Sequence, residues 1–316
     1  MLLTFAFCTY NRAARLEQLV AAMRAQDCPV PFEILAVNNN SQDNTLAVLE
    51  ALSREPGAAL RFVTETQQGI VPARNRAIAE SLDSDILVFI DDDELPDPGL
   101  TAAVHHAVVV EGAQCVGGRI GIDYTPNQRP VWMTDELQAF LGAVDYGDRS
   151  LWVIDDSHPL WSGNIAYDMS LFRDDLALRF DARYNRAGFG VGGGEDAMMF
   201  RELLRRGTRI RYRPDMSIRH LVDDWKLDRR YFLRLHYAAG KRYGTHRIEH
   251  SGGHLLGMPP WLLRQLLEHT GRWLGLTAGG RSGRFRQAMT IAHTLGMLNG
   301  YRRRAADTAT STAKDT

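Results

Sequence analysis

The stretch ILVFIDDDELPDPG, residues 86–99, decides how the chain is read. Ile86, Leu87, Val88, Phe89 and Ile90 have the composition of a buried strand, and Asp91, Asp92, Asp93 and Glu94 follow without a break. Packing gives no reason for this, since like charges repel and an ionised carboxylate is costly to bury. Either water solvates all four or something positive completes them. Asp91 and Asp93 are one residue apart. In a turn after a strand both can face one point and chelate a hard divalent cation such as Mg2+ or Mn2+. Such an ion binds well when a diphosphate supplies further oxygens. A solvated acidic turn is the plainer reading, and Pro96, Pro98 and Gly99 fit a loop under either.

Upstream, apolar runs with strand character alternate with runs of helical spacing. Leu2 to Cys8, Phe32 to Val37 and Leu60 to Val63 predict strands, and Ala13 to Arg24, Asn44 to Leu52 and Ile70 to Leu82 predict helices. Pro72 falls in the first turn of the last helix, where proline is tolerated. This β-α alternation predicts a mostly parallel, Rossmann-type sheet flanked by helices. Ligands of such sheets bind beyond the carboxyl ends of the strands. Three strands end there in polar clusters, TYNR, NNNS and DDDE, so the acidic run stands at the expected rim.

Downstream, a helix is expected to about Val110, a strand from Cys115 to Ile122 bent at Gly117-Gly118, and an irregular stretch from Tyr124 to Asp156. A glycine loop then opens a helix that Gly207 stops, and Ile210 to His220 reads as an extended pair. From Leu227 the pattern is helical. The expected organisation is a catalytic domain over 1–220, with halves of about 1–122 and 123–220. A basic helical extension over 221–304 and a disordered tail over 305–316 follow.

The chain has 316 residues and a net charge of -1, with 45% hydrophobic and 24% charged residues, as expected of a globular protein with a real core. From His220 onward 16 Lys+Arg stand against 7 Asp+Glu, so a basic part follows an acidic one. Cys8, Cys28 and Cys115 are widely spaced and form no CxxC, which reads as reduced thiols in a cytoplasmic protein. The first residues lack a signal-peptide pattern, and no apolar run approaches the roughly 20 residues of a membrane helix.

Other stretches carry chemistry, each beside a plainer reading. Glu195 and Asp196 open a helix behind Gly192-Gly193-Gly194. An acid in the first helical turn is stabilised by the helix dipole and needs no further role. Three glycines, however, strip side chains from the approach, which suits a general base reaching a bulky substrate's hydroxyl. Gly188-x-Gly190-x-x-Gly193 matches a dinucleotide fingerprint, but far from the first strand and without the required acid. Trp161 to Asn164 offers a ring, a bare backbone and an amide, suited to a sugar or to a buried turn. His220 could ligate a metal or be structural. WLLRQLLEHTGRWLG, with Arg264 and Arg272 among leucines and tryptophans, fits either a helix on an anionic membrane surface or one packed on the protein. Nucleic acid is disfavoured, since no recognition module is present.

In this order the motifs resemble the family 2 glycosyltransferases, which share the GT-A nucleotide-sugar-binding fold. The resemblance rests on Thr9-Tyr10-Asn11-Arg12, Val37 to Ser41, Gly69 with Ala73-Arg74-Asn75, Asp91-Asp92-Asp93, Gly163-Asn164, Glu195-Asp196 and His220. It implies a GT-A-like fold and an inverting, metal-dependent, non-processive transfer from a nucleotide-sugar donor, expected to be a UDP-sugar. The acceptor would be a hydroxyl of a glycan or lipid-linked molecule. Residues 229–244 are similar to bacterial members that build surface polysaccharides. The expected location is the cytoplasm, either free or peripheral on the cytoplasmic face of the inner membrane. Thr9 and the Asn38-Asn39 turn would hold the nucleobase and ribose. Tyr10, Arg12, Arg74 and Asp92 would contact the nucleotide, with Asp91 near the ribose. Asp93 and His220 would hold Mg2+ or Mn2+. Trp161, Gly163, Asn164, Gly193 and Gly194 would border donor sugar and acceptor. Asp196 would be the base and Glu195 would place it or the acceptor. The family often has Asp where this chain has Asn38, which loosens the choice of nucleobase.

Two other functions fit the same fold class. A nucleotidyltransferase would carry a glycine-rich loop with Arg and Lys after its first strand, whereas this chain has CTYNRAAR. A non-catalytic nucleotide-sugar-binding protein would be free to lose Asp196.

Overall fold

A computed structural model describes residues 1–125, 127–187, 193–248 and 258–312, with side chains described up to Arg303. The chain divides into two compact units, Met1–Asp223 and Asp224–Thr316.

The first unit opens as its periodicity dictates: β1 (Leu3–Thr9), α1 (Ala13–Arg24), β2 (Phe32–Asn38), α2 (Thr45–Leu52), β3 (Leu60–Thr64), α3 (Ile70–Glu80) and β4 (Ile86–Asp91). Then come β5 (Glu94–Pro96), α4 (Leu100–His105, continued by a π-turn to Val110), β6 (Cys115–Asp123), α5 (Asp135–Gln138), β7 (Leu151–Val153), β8 (Asn164–Asp168), α6 (Ser170–Asp174), α7 (Glu195–Arg205) and β9 (Ile210–Leu221).

One sheet holds all nine strands in the order β3-β2-β1-β4-β8-β6-β9-β5, with β7 also on β9. β1 to β4 pair in parallel, and β6 pairs in parallel with β9. β8 runs antiparallel between β4 and β6, and β5 and β7 run antiparallel to β9. The sheet is therefore mixed, its parallel part being the half where the sequence alternates strand and helix. Leu3, Phe5, Phe7, Ile34, Ile86, Val88 and Tyr167 are fully buried in its core.

β9 is one continuous strand, not the expected extended pair. Its register against β6 jumps between Gly118 and Arg119, from Arg213 to Ser217, so Pro214, Asp215 and Met216 lie unpaired in a bulge. Proline has no amide hydrogen to give a ladder, and a bulge is where a strand accepts it. Gly118 allows the close approach, since a Cβ there would lie 1.6 Å from the Met216 carbonyl oxygen. The bend expected at Gly117-Gly118 is this bulge seen from β6.

The second unit contains α8 (Arg229–His246), α9 (Pro260–Ala278) and α10 (Arg284–Thr312). α8 and α10 pack glycine against backbone: a Cβ on Gly240 would meet the His293 carbonyl at 1.9 Å, and one on Gly296 the Tyr237 carbonyl at 2.1 Å. The helix passes through much of the tail expected to be disordered, because Ala305, Ala306 and Ala309 are strong helix formers. Residues 313–316 of that tail lie outside the described residues.

Candidate active site

The rim at the carboxyl ends of β1, β2 and β4 is built by side chains bonding to backbone. Thr9 and Asn38 are paired in register, and both are buried. Asn11 takes a left-handed conformation, φ 53°, between two bonds. Its amide donates to Ser41 Oγ at 3.0 Å, and its Oδ1 accepts from the Gln42 amide at 2.7 Å. The Arg12 amide donates to Thr45 Oγ1, and Asn38 Oδ1 accepts from the Ser41 amide. The Tyr10–Arg12 and Asn39–Asp43 loops are thus fastened to each other. Asn39, expected at the nucleoside, is 4% exposed and spends its amide on backbone. Its Nδ2 donates to the Glu65 and Gln67 carbonyls, and its Oδ1 accepts from the Gly69 amide at 2.7 Å. It clamps the loop that leads into α3.

The acidic run folds as a tight turn at Asp92 and Asp93 between β4 and β5. Glu94 is 4% exposed and accepts from the Asp91 amide at 2.8 Å. It lies against Gly163, where a Cβ would sit 2.5 Å from its Oε1. β5 brings Glu94 into register with His220 on β9, and His220 Nε2 lies 3.5 Å from Asp93 Oδ2. Arg12 Nε is 3.9 Å from Asp92, and Arg12 is shared with Asp223, which also pairs with Arg15. Burial, then the charge of Asp93, pushes Asp92 up to about 7, with Arg12 pulling the other way. Burial, then Asp91 and Asp93, raises Glu94 well above the usual carboxylate range.

The second pair of acids is handled differently. Arg74 on α3 is 4% exposed. Its Nη2 donates to Asp91 Oδ1 at 3.0 Å and its Nη1 to Glu195 Oε1 at 2.8 Å. The guanidinium lies 5.6 Å from the ring centre of Phe180. Arg74 is therefore turned inward onto protein carboxylates. Glu195 begins α7 behind Gly194, which sits at φ 119°. Asp196 is partly buried, and one of its oxygens accepts from the Ala197 amide at 2.7 Å. Burial, then Glu195, raises Asp196 to about 6 against the pull of Arg74. Gly188, Gly190 and Gly192 lie outside the described residues.

Trp161 is half-buried, while Gly163 and Asn164 are buried. Asn164 Nδ2 donates to the Arg119 and Met216 carbonyls at 3.0 and 2.8 Å, so its amide braces the β6–β9 bulge.

The sequence profile of glycosyl transferase family 2 matches residues 4–176, more than half of the chain. The chain belongs to this family. Two curated relatives are an uncharacterized glycosyltransferase, YfnE, of Bacillus subtilis and the glycosyltransferase AglE of Haloferax volcanii. YfnE is 32% identical over 93 residues, covering 29% of this chain and 23% of the relative. AglE is 30% identical over 119 residues, covering 37% and 38%. The matches thus span well under half of either relative's length. Among solved structures, the fold is similar to S. aureus TarS 1–349 in complex with UDP-GlcNAc, with TM-score 0.57, 12% identity, and 96% of this chain and 92% of that chain covered. It is also similar to the mannosyltransferase PcManGT from Pyrobaculum calidifontis in complex with GDP-Man and Mn2+, with TM-score 0.59, 19% identity, and 94% and 86% covered. These likenesses show the GT-A fold.

The family's expected metal can be tested against the residues present. No group of three or more His, Cys, Asp and Glu is arranged to hold a metal among the described residues. Two ligands of one Mg2+ ion at right angles lie about 3 Å apart, close to the 3.5 Å between Asp93 and His220. Asp93 and His220 stand close enough to share one small cation, of which they would supply two ligands. Glu94 is a site residue that sequence reasoning alone misses, although its place in the acidic run is a signal for it. The role of Arg74 as a bridge has no local signal, since Glu195 is 121 residues away.

Proposed function

We propose that the protein is an inverting, non-processive glycosyltransferase that moves a sugar from a nucleotide-sugar to an acceptor hydroxyl. The observation that carries the reading is the Asp91–Arg74–Glu195 bridge, which ties the acidic turn to the helix start bearing Asp196. Thr9, Tyr10, Arg12 and Asn38 surround the nucleoside, with a uracil base compatible with the Asn38 amide. Asp93 and His220 hold Mg2+ or Mn2+, which when bound neutralises charge on the departing diphosphate. The Asp196 oxygen that makes no hydrogen bond among the described residues takes the proton from the acceptor hydroxyl, and a single base on that side implies inversion. Trp161 and the bare Gly193-Gly194 backbone leave room for sugar and acceptor.

The acceptor is a glycan or a lipid-linked molecule of the kind used in building cell-envelope polysaccharide. On α9, Leu267 and Leu274 are 73% and 56% exposed, and Arg264, Arg272, Arg281 and Arg284 are exposed on or just beyond the helix. No described helix is long and apolar enough to cross a membrane. This face suits peripheral contact with an anionic membrane surface. Cosedimentation with vesicles containing anionic lipid, lost in Leu267→Glu/Leu274→Glu, tests that part.

Calorimetric titration with UDP, GDP, dTDP and CDP, with and without Mn2+, tests the donor site. Tight, metal-dependent binding of one of them is expected. Transfer from the corresponding nucleotide-sugar, with the product's anomeric configuration read by NMR, tests the reaction. Absence of binding to all four in folded protein would refute the donor site, and a retained configuration would refute the single-base mechanism.

A further inference from the structure

We propose that Arg74 is a positioning residue that fixes the catalytic base relative to the donor end of the site, and that it does not act as a nucleotide ligand. The inference rests on the transferase reading above. Arg74 sits on α3 between two elements far apart in sequence. One terminal nitrogen donates to Asp91 at the end of β4, and the other to Glu195 at the start of α7. A planar guanidinium can hold two carboxylates at fixed angles, which a lysine ammonium cannot.

The surroundings make the arrangement rigid. Phe180 lies beside the guanidinium and is itself fixed to α3. Asn75 Nδ2 donates to the Phe180 carbonyl at 3.0 Å, and Asn75 Oδ1 accepts from the Phe180 amide at 2.8 Å. Asn185 Oδ1 accepts from the Val71 amide, and the Arg186 carbonyl from the Ile70 amide, so residues 180–186 fasten the start of α3 as well.

Among the described residues, Arg74 is the one cation paired with Glu195. It is 5% exposed, and its Oε2 is buried with no hydrogen-bond partner among the described residues. Gly193 has no side chain to offer, and a Cβ there would lie 2.8 Å from that oxygen. Arg74 thus carries the charge of Glu195, and Glu195 immediately precedes Asp196. Removing the guanidinium releases Asp91 and the first turn of α7, while Thr9 and Asn38 on β1 and β2 keep their pairing.

The test compares wild type with Arg74→Gln, Arg74→Lys and Glu195→Gln. For each, the Kd of the preferred nucleoside diphosphate with Mn2+ is measured by calorimetry, and kcat and KM by product formation. In Arg74→Gln, kcat should fall about 100-fold, the scale of loss when a reacting group is misplaced by about 1 Å, while nucleotide Kd stays near wild type. Arg74→Lys should recover part of kcat, because its ammonium reaches one carboxylate only. Glu195→Gln should reproduce the kcat loss with unchanged nucleotide Kd, and it decides the matter if Arg74→Gln does not fold. Weakened nucleotide binding with wild-type kcat at saturating donor would make Arg74 a nucleotide ligand and overturn the proposal. So would wild-type kcat in both Arg74→Lys and Glu195→Gln. Failure of the wild-type protein to bind any nucleotide would instead defeat the transferase reading itself.

Discussion

Two sets of acids lie along one rim of the sheet, and the protein balances them in opposite ways. Asp91 and Glu195 share a buried arginine at 3.0 and 2.8 Å. Asp92, Asp93 and Glu94 have Arg12 at 3.9 Å from Asp92, and His220 beside Asp93, with Asp92 and Glu94 both raised by burial and by their neighbours. The first set shares one buried guanidinium, as the proposed positioning role requires. The second holds two carboxylates raised above their usual range, as the proposed metal and diphosphate site requires.

The comparison breaks most decisively at Asp196, the proposed base. Asp196→Asn should reduce kcat on the order of 10³-fold, within the range for removing a general base, with nucleotide affinity intact by calorimetry. Undiminished turnover would take Asp196 out of the mechanism. Asp93→Ala attacks the acidic turn instead. It should remove the Mn2+-dependent part of diphosphate binding, at least the roughly 10–100-fold that loss of a supporting metal partner costs. Binding that keeps its full Mn2+ response would place the metal elsewhere.

The pH profile sharpens the contrast. Asp196 is raised to about 6 by burial and Glu195, with Asp91 adding to the rise and Arg74 and the Ala197 amide opposing it. A base works ionised, so kcat should be full well above this value and fall about tenfold per unit below it. A profile flat from pH 5 to 8 would contradict the assignment. The smallest effect is expected at Gly163→Ala, whose Cβ would press on Glu94 Oε1. Overpacking of this kind costs about 1–3 kcal/mol, to be read as a lowered melting temperature. An unchanged melting temperature would mean that Glu94 moves aside freely.

The parts legible in the sequence are those governed by local rules. β1 to β4 and their helices follow from apolar periodicity, and the stop at Gly207 follows from its left-handed conformation, φ 69°. The three polar strand ends read from the sequence lie side by side in the sheet, on β2, β1 and β4. β5 was hidden, because Glu94 and Pro96 do not look like a strand until β9 pairs with them. β7 was lost in an irregular stretch for the same reason, as its three residues are held by β9. Asn39 looked like a ligand contact because an amide at a strand end could serve a base or a backbone equally. Only the folded loop shows that Glu65, Gln67 and Gly69 claim it.

The bulge in β9 has a further consequence. An odd number of unpaired residues, Pro214 to Met216, separates the part of β9 that follows Gly118 from the part that follows Arg119. Side chains alternate between the faces of a strand, so an odd insertion reverses which of them points where. The bulge therefore acts as a frameshift within the strand, and His220 meets Glu94 only in the shifted frame. Losing or gaining a single residue at 214–216 would have to be absorbed within the bulge for His220 to keep its place opposite Glu94.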